Sequence, residues 1–233
     1  MTKLEKIKEF LAKLGLLPLV KFFLKKPMEL YYRFVFKRSS QQCLRLVHEA
    51  IKKSGIEVWL ECGSYLGAKR NGRIIGHDLD IDFALKSSEN LSLLHKELIV
   101  LGYKRERSIY LKGTNELVET TYSFNGAKVD FFQALSEGDY LVIYDFASEK
   151  GMTWGETIQK FGGLMAFKSY MTPFELGPVS LNGLTFLGAS ESFCDAHLRE
   201  LYGESYNTPD KNWSLDMRPV RSRSNDIGVV VYG

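Results

Sequence analysis

Asp78, Asp80 and Asp82 alternate along Gly76-His77-Asp78-Leu79-Asp80-Ile81-Asp82-Phe83, with Leu79, Ile81 and Phe83 filling the alternate positions. On a strand, successive side chains point to opposite faces. The aspartates would then share one face while the apolar residues enter the core on the other. Successive carboxylates on that face stand about 7 Å apart along the chain, too far to hydrogen-bond but suited to converge on a cation between them. Like charges on one sheet face repel, and aspartate is disfavoured in strands. Three in alternation therefore call for a compensating ion, and hard oxygen ligands suit Mg²⁺ or Mn²⁺. A solvated edge strand is the competing reading of the same residues.

A second chemical feature precedes the first by about sixteen residues, in Leu60-Glu61-Cys62-Gly63-Ser64-Tyr65-Leu66-Gly67. It places Gly63 and Ser64 where a strand ends and a helix begins. Glycine lets a phosphate approach the backbone, a helix start offers free N–H groups, and a serine hydroxyl adds a donor. Alone this is an ordinary turn. Followed at this distance by Asp-x-Asp, it resembles the signature of the nucleotidyltransferase superfamily. That resemblance implies a third acid on a neighbouring strand. Lys128-Val129-Asp130-Phe131-Phe132, an apolar run with one central carboxylate, supplies Asp130 as the candidate.

A longer pattern narrows the resemblance. Trp59 to Arg70, Gly72-Arg73-Ile74-Ile75 and His77 to Asp82 together resemble the LicD family, which includes the fukutin-like glycan phosphotransferases. Leu198-Arg199-Glu200-Leu201-Tyr202-Gly203, with Tyr206 and Pro209, is similar to that family's closing helix and Tyr-Gly motif. The similarity covers roughly residues 45–212, and the block from Gly63 to Asp82 is its diagnostic part. Gly76 stands where the family usually has proline. Leu79 interrupts what is often an unbroken acidic run, which ranks Asp78 below Asp80 and Asp82 as a ligand.

The resemblance implies transfer of a phosphorylated alcohol, such as phosphocholine or phosphoribitol, from a CDP-linked donor to a sugar hydroxyl of a glycan or glycolipid. CMP would leave, and the product would belong to a lipopolysaccharide, teichoic acid or capsule. It makes Asp80, Asp82 and Asp130 the catalytic and metal-holding residues, and gives Gly63 and Ser64 the leaving phosphate. Lys69, Arg70 and Arg73 would face the diphosphate, where arginine can pair two oxygens at once. Read by themselves, these three cations form a solvated loop. His77 reads either as a donor to a phosphate oxygen or as a structural residue. The same site could instead transfer a nucleoside monophosphate and release pyrophosphate. A nucleotide-binding scaffold without catalysis is a third reading, opposed by the intact acidic trio.

These residues need a sheet to hold them. The periodicity predicts helices over 2–14, about 40–54, 88–101 and 190–202. It predicts strands over 57–62, 78–85, 103–111, 117–124, 128–134 and 140–146, and a hairpin over 179–186. Lys69, Arg70 and Arg73 fall in a basic loop after a short helix or turn at 66–68. Asn125-Gly126 and Asn182-Gly183 are hairpin turns by their residue types. Residues beyond Tyr202 read as irregular. The expected class is α+β, a nucleotidyltransferase-like mixed sheet flanked by helices.

A chain of 233 residues can bury one sizeable core. Its three separated cysteines argue against a disulfide framework or structural zinc and fit a reducing compartment. Residues 1–38 hold ten Lys/Arg against three acids, whereas the remainder holds 21 basic and 25 acidic residues. The domains expected are therefore a basic helical arm, 1–38, and a catalytic domain, 39–233. This charge distribution does not suit a nucleic-acid groove. The arm's longest uncharged run, Leu14 to Val20, is seven residues, against the roughly 20 needed to span a bilayer. Nor does the arm resemble a cleaved signal. It reads either as an amphipathic helix on an anionic membrane surface or as an arm packed on the domain. The expected location is cytoplasmic, on the inner face of the membrane where the arm engages it.

Overall fold

The computed structural model describes the backbone of residues 17–86, 88–210 and 212–233, and the side chains of these except 17–26 and 88–90. The helix expected over 2–14 lies outside the described residues.

A single helix, α1 (Leu17–Ser54), runs through Pro27 and across the expected domain boundary. The helix expected from about Ser40 therefore starts more than twenty residues earlier. Proline removes one ladder hydrogen bond, but its signal is local and does not stop a long helix anchored by packing. The anchor is the C-terminal half, where Cys43, Leu44, Val47 and Ala50 are fully buried.

Next come β1 (Trp59–Leu60), α2 (Cys62–Asn71), β2 (Asp80–Leu85), α3 (Ser88–Val100), β3 (Lys104–Leu111), β4 (Leu117–Phe124) and β5 (Ala127–Gln133). Then follow β6 (Leu135–Glu137), β7 (Tyr140–Ala147), α4 (Trp154–Phe161), β8 (Leu164–Met171), β9 (Leu176–Leu181) and β10 (Leu184–Ala189). The chain closes with α5 (Glu191–Tyr202), a 3₁₀ turn at Leu215–Met217 and β11 (Arg221–Tyr232). Both expected hairpin turns are present, with Asn125 at φ 49° and Asn182 at φ 50°.

The strands form one mixed sheet in the order β6-β7-β8-β11-β3-β4-β5-β2-β1-β10-β9. β2 pairs with β5 in parallel, and β1 with β10 likewise. The expected α+β mixed sheet is thus the observed one, but the irregular C-terminus is corrected. β11, twelve residues long, inserts between β8 and β3. Its first half, Arg-Ser-Arg-Ser-Asn-Asp, lacks a strand's apolar alternation, and its register shifts between Arg223 and Ile227. Residues 147–178, for which the sequence alone names no element, hold α4 and β8.

Alternation along β2 and β5 separates core from site. Ile81, Phe83, Leu85, Val129 and Phe131 face the core shared with α1, α2 and α3. Phe83 and Phe131 stack at 5.5 Å there. Asp80, Asp82 and Asp130 occupy the alternate positions and line a cleft. β7 approaches β4 and β5, although β8, β11 and β3 stand between them in the strand order, so the sheet curls over this cleft.

Candidate functional site

Parallel pairing puts Asp80 opposite Lys128 and Asp82 opposite Asp130. Ligand oxygens of Asp80, Asp82 and Asp130 all lie within 4.8 Å of one another. Asp130 is buried and accepts a hydrogen bond from the Thr121 hydroxyl on β4, which fixes its orientation.

Burial, then Asp80, Asp130 and Asp78, push the Asp82 carboxyl well above the usual range. Burial and the same repulsion push Asp80 to about 6. Burial raises Asp130 too, against the opposing Thr121 hydrogen bond. Three carboxylates this close cannot all ionise cheaply without a cation. An all-oxygen donor set of this kind fits Mg²⁺ or Mn²⁺.

Asp78 stands differently from its expected place. β2 begins at Asp80, so Asp78 precedes the strand, in a turn where its N–H donates to the Ile75 carbonyl at 3.1 Å. Its side chain still turns toward the cluster. A Cβ on Gly63 would lie 2.8 Å from Asp78 Oδ2 and 3.4 Å from Asp82 Oδ2. Gly63 is therefore the surface against which the two carboxylates pack. Burial raises the Asp78 carboxyl to about 6.

The Gly-Ser turn also differs in detail. α2 starts at Cys62, one residue earlier than Gly63, and extends through Lys69 and Arg70, which sit in its last turn and not in a loop. The reason is the cap. Glu61 accepts the Cys62 N–H, which begins the helix with Gly63 and Ser64 in its first turn. First-turn N–H groups have no partner within the helix, so this end suits an anion. The Ser64 hydroxyl accepts the Asp82 N–H at 2.8 Å, tying the turn directly to the acid strand.

The remaining expected residues divide. Arg70 lines the cleft, and its guanidinium donates to the carbonyls of Tyr206 and Thr208. His77 lines the cleft rim with a side chain 65% exposed, 3.9 Å from Asp78 Oδ1. Lys69 turns away to pair with Glu191 at 2.5 Å. Arg73 is exposed beside Gln41, Gly72, Asn182 and Gly183, outside the cleft.

The fold adds residues that sequence reading had missed. Glu61 is fully buried, bonded to Trp59 Nε1 and His197 Nε2, each at 2.9 Å. Burial would raise its carboxyl, but His197, Trp59 and the Cys62 amide outweigh burial and hold it below the ordinary range. A buried acid ending an apolar strand was the available signal. Arg107 pairs with Glu119 at 2.6 Å, and both line the cleft. Burial and Asp130 raise Glu119 to about 7. Arg218, in a segment without sequence periodicity, lines the cleft from the turn before β11.

The cleft, about 430 Å³, is thus walled by acids on one side and by Arg70, Arg107 and Arg218 elsewhere, with Tyr202 and Trp213 in contact at 4.7 Å near its edge. That combination can hold a cation together with a polyanion.

The chain is similar to several known proteins. Ribitol-5-phosphate transferase FKTN from Macaca fascicularis is 25% identical over 198 residues, covering 82% of this chain and 38% of the relative. The Homo sapiens protein of the same name matches at the same identity and coverage. The chain thus spans well under half the length of these relatives. Among solved structures, ANT(2")-Ia in complex with adenylyl-2"-tobramycin overlaps at a TM-score of 0.43 and 13% identity, covering 76% of this chain and 83% of that one. The family model described as LicD/FKTN/FKRP, nucleotidyltransferase domain, matches residues 55–187, a span that contains Gly63, Ser64 and all three clustered acids. More than half of the chain lies within that match, and the protein belongs to the LicD/FKTN/FKRP family.

Proposed function

We propose that this protein transfers a phosphorylated alcohol from a CDP-linked donor to a sugar hydroxyl of a surface glycan or glycolipid, releasing CMP. The observation that carries the reading is the position of the acid trio, within 4.8 Å mutual reach, inside the family's matched span. Similarity to ribitol-5-phosphate transferase FKTN makes phosphoribitol the first alcohol to test.

Asp80, Asp82 and Asp130 would hold Mg²⁺ or Mn²⁺, with Asp78 near enough to assist. Such an ion, when bound, neutralises diphosphate charge and orients the oxygens. The first-turn amides of Gly63 and Ser64 hold the leaving phosphate. The acceptor oxygen attacks the phosphorus that bears the alcohol, its bond to the CMP oxygen breaks, and Asp130 takes the acceptor's proton. Phosphoryl transfer needs positioning and charge neutralisation more than covalent help, and this cleft is built for both.

The arm is proposed to rest on an anionic membrane surface where glycolipid acceptors reside. Met28, Leu30, Tyr31, Tyr32 and Phe34 of α1 are exposed. They carry aromatic and aliphatic bulk next to Arg33, Lys37 and Arg38, a composition suited to an interface. Among the described residues, no helix is long and apolar enough to cross a membrane.

Incubation with a panel of CDP-linked alcohols and Mg²⁺ or Mn²⁺ tests the reading. Release of CMP with phospho-alcohol on the acceptor supports it. Pyrophosphate release from CTP would support nucleotidyl transfer instead. Neither product from any donor would sink both.

A further inference from the structure

Arg218 is 5% exposed and lines the cleft beside the acids, yet no carboxylate lies within ion-pair distance of it among the described residues. Its Nη1 donates to Ser169 Oγ at 3.1 Å and its Nη2 to Cys62 Sγ at 3.4 Å. Its Nε is buried without any partner. Arginine keeps its charge under all ordinary conditions, and a buried charge is normally paired. The two neutral contacts orient the guanidinium, and Asp82 and Asp145 act on its charge only through space, without a direct ion pair.

Arg107 is paired with Glu119. Arg70, like Arg218, has only neutral acceptors and a buried Nε without a partner, but it is half-buried where Arg218 is buried. Arg218 is bonded to Cys62, the first residue of α2, so the unpaired cation stands next to the positive end of that helix. A helix start and a guanidinium meeting at one point make a site for a multiply charged oxyanion.

We propose that Arg218 and the first turn of α2 together form the diphosphate-binding site of the nucleotide donor, with Arg218 supplying the fixed positive charge. This rests on the proposed reaction class and extends it. Arg218 lies beyond residues 55–187, outside the family match, and none of the motifs read from the sequence includes it. The oxyanion end of the cleft is thus completed by the C-terminal segment.

Binding at fixed Mg²⁺ tests this by calorimetry, with CDP and inorganic pyrophosphate as separate probes. Arg218→Gln should weaken both by tenfold or more, with Mn²⁺ affinity unchanged or higher because a cation beside the acids is gone. Arg218→Lys should keep the fold and weaken pyrophosphate at least threefold, since a point charge cannot form the guanidinium fork. If the glutamine variant fails to fold, the lysine variant decides alone. Pyrophosphate bound by the lysine variant as tightly as by the wild type overturns the proposal and leaves Arg218 as a structural counter-charge. Wild-type binding of pyrophosphate but not CDP would refute the cytidine donor while leaving the Arg218 site standing. Wild-type binding of neither would overturn both.

Discussion

Asp82 and Asp130 face each other across neighbouring parallel strands, and the backbone of Asp82 is held by the Ser64 hydroxyl at 2.8 Å. One residue thus joins the phosphate turn, the acid strand and the third acid. Asp80→Asn or Asp82→Asn should preserve the fold and lower turnover by more than about thirtyfold, a loss of about 2 kcal/mol in the transition state. Without metal, each variant should melt at the same temperature or higher, because repulsion is relieved. Near-normal rates in either would sink the metal assignment. Asp78→Asn, in the turn before the strand, should cost less than either. Steady-state rates of the three variants check the ranking.

Gly63→Ala probes the packing of carboxylates on the phosphate turn. The new Cβ would meet Asp78 Oδ2 at 2.8 Å, the movable end of a side chain. The fold should therefore survive, with stability changed by less than about 1 kcal/mol. The displaced carboxylates should lower Mn²⁺ affinity about tenfold, measured by titration calorimetry. Unchanged affinity would show that the close approach is incidental.

The raised carboxyls give a pH dependence with a definite sign. Burial pushes the Asp78 and Asp80 carboxyls up to about 6 in the folded protein without metal, above the ordinary aspartate value of about 3.9. The folded state then binds more protons than the unfolded one between those values. This contribution to stability is fully present below about pH 4 and is lost as pH rises through about 6. Divalent metal must displace the same protons, so its stabilising effect should run the other way, small at pH 5 and larger at pH 7.5. Melting curves across that range, with and without Mn²⁺, give the comparison. An equal metal-induced shift at both ends would contradict it.

His197→Ala should be costly although His197 does not line the cleft. His197 bonds the buried Glu61 carboxylate at 2.9 Å, and removal of one partner strands the other charge. Loss of a buried partner typically costs about 3–5 kcal/mol. At this chain length, that corresponds to a melting temperature lower by roughly 6–15 °C. Glu61 also caps α2, so the variant should bind CDP more weakly even below its melting range. A shift under 2 °C would mean the pair contributes little.

Lipid binding tests the arm. Residues 1–38 hold an excess of seven positive charges. Each basic group near an anionic surface contributes about 1 kcal/mol, screened within about 10 Å at moderate salt. Co-sedimentation with liposomes should require anionic lipid and weaken as salt rises. Deletion of residues 1–24 should remove it and spare activity on a small water-soluble acceptor. If full-length protein ignores anionic liposomes even at low salt, the membrane reading falls. An insoluble truncation would favour an arm packed on the domain.

Local backbone and side-chain chemistry determined what could be read from sequence alone. Asn125-Gly126 and Asn182-Gly183 specify left-handed turns by themselves, and the observed φ of 84° at Gly126 and 78° at Gly183 follow from residue type. The alternation from Asp80 to Phe83 likewise separates two faces wherever that strand lies. Asp130 was named through a family resemblance, because nothing within its own apolar run says which strand will neighbour it. Tertiary structure alone decided that Asp130 stands opposite Asp82, that Arg73 and Lys69 leave the cleft, and that Arg218 enters it. Arg218 arrives because β11 inserts between β8 and β3, close to Ser169 and Cys62. Pairing of that kind is settled by hydrogen bonds and buried surface shared with remote strands. Neither leaves a periodic trace in the segment that makes it.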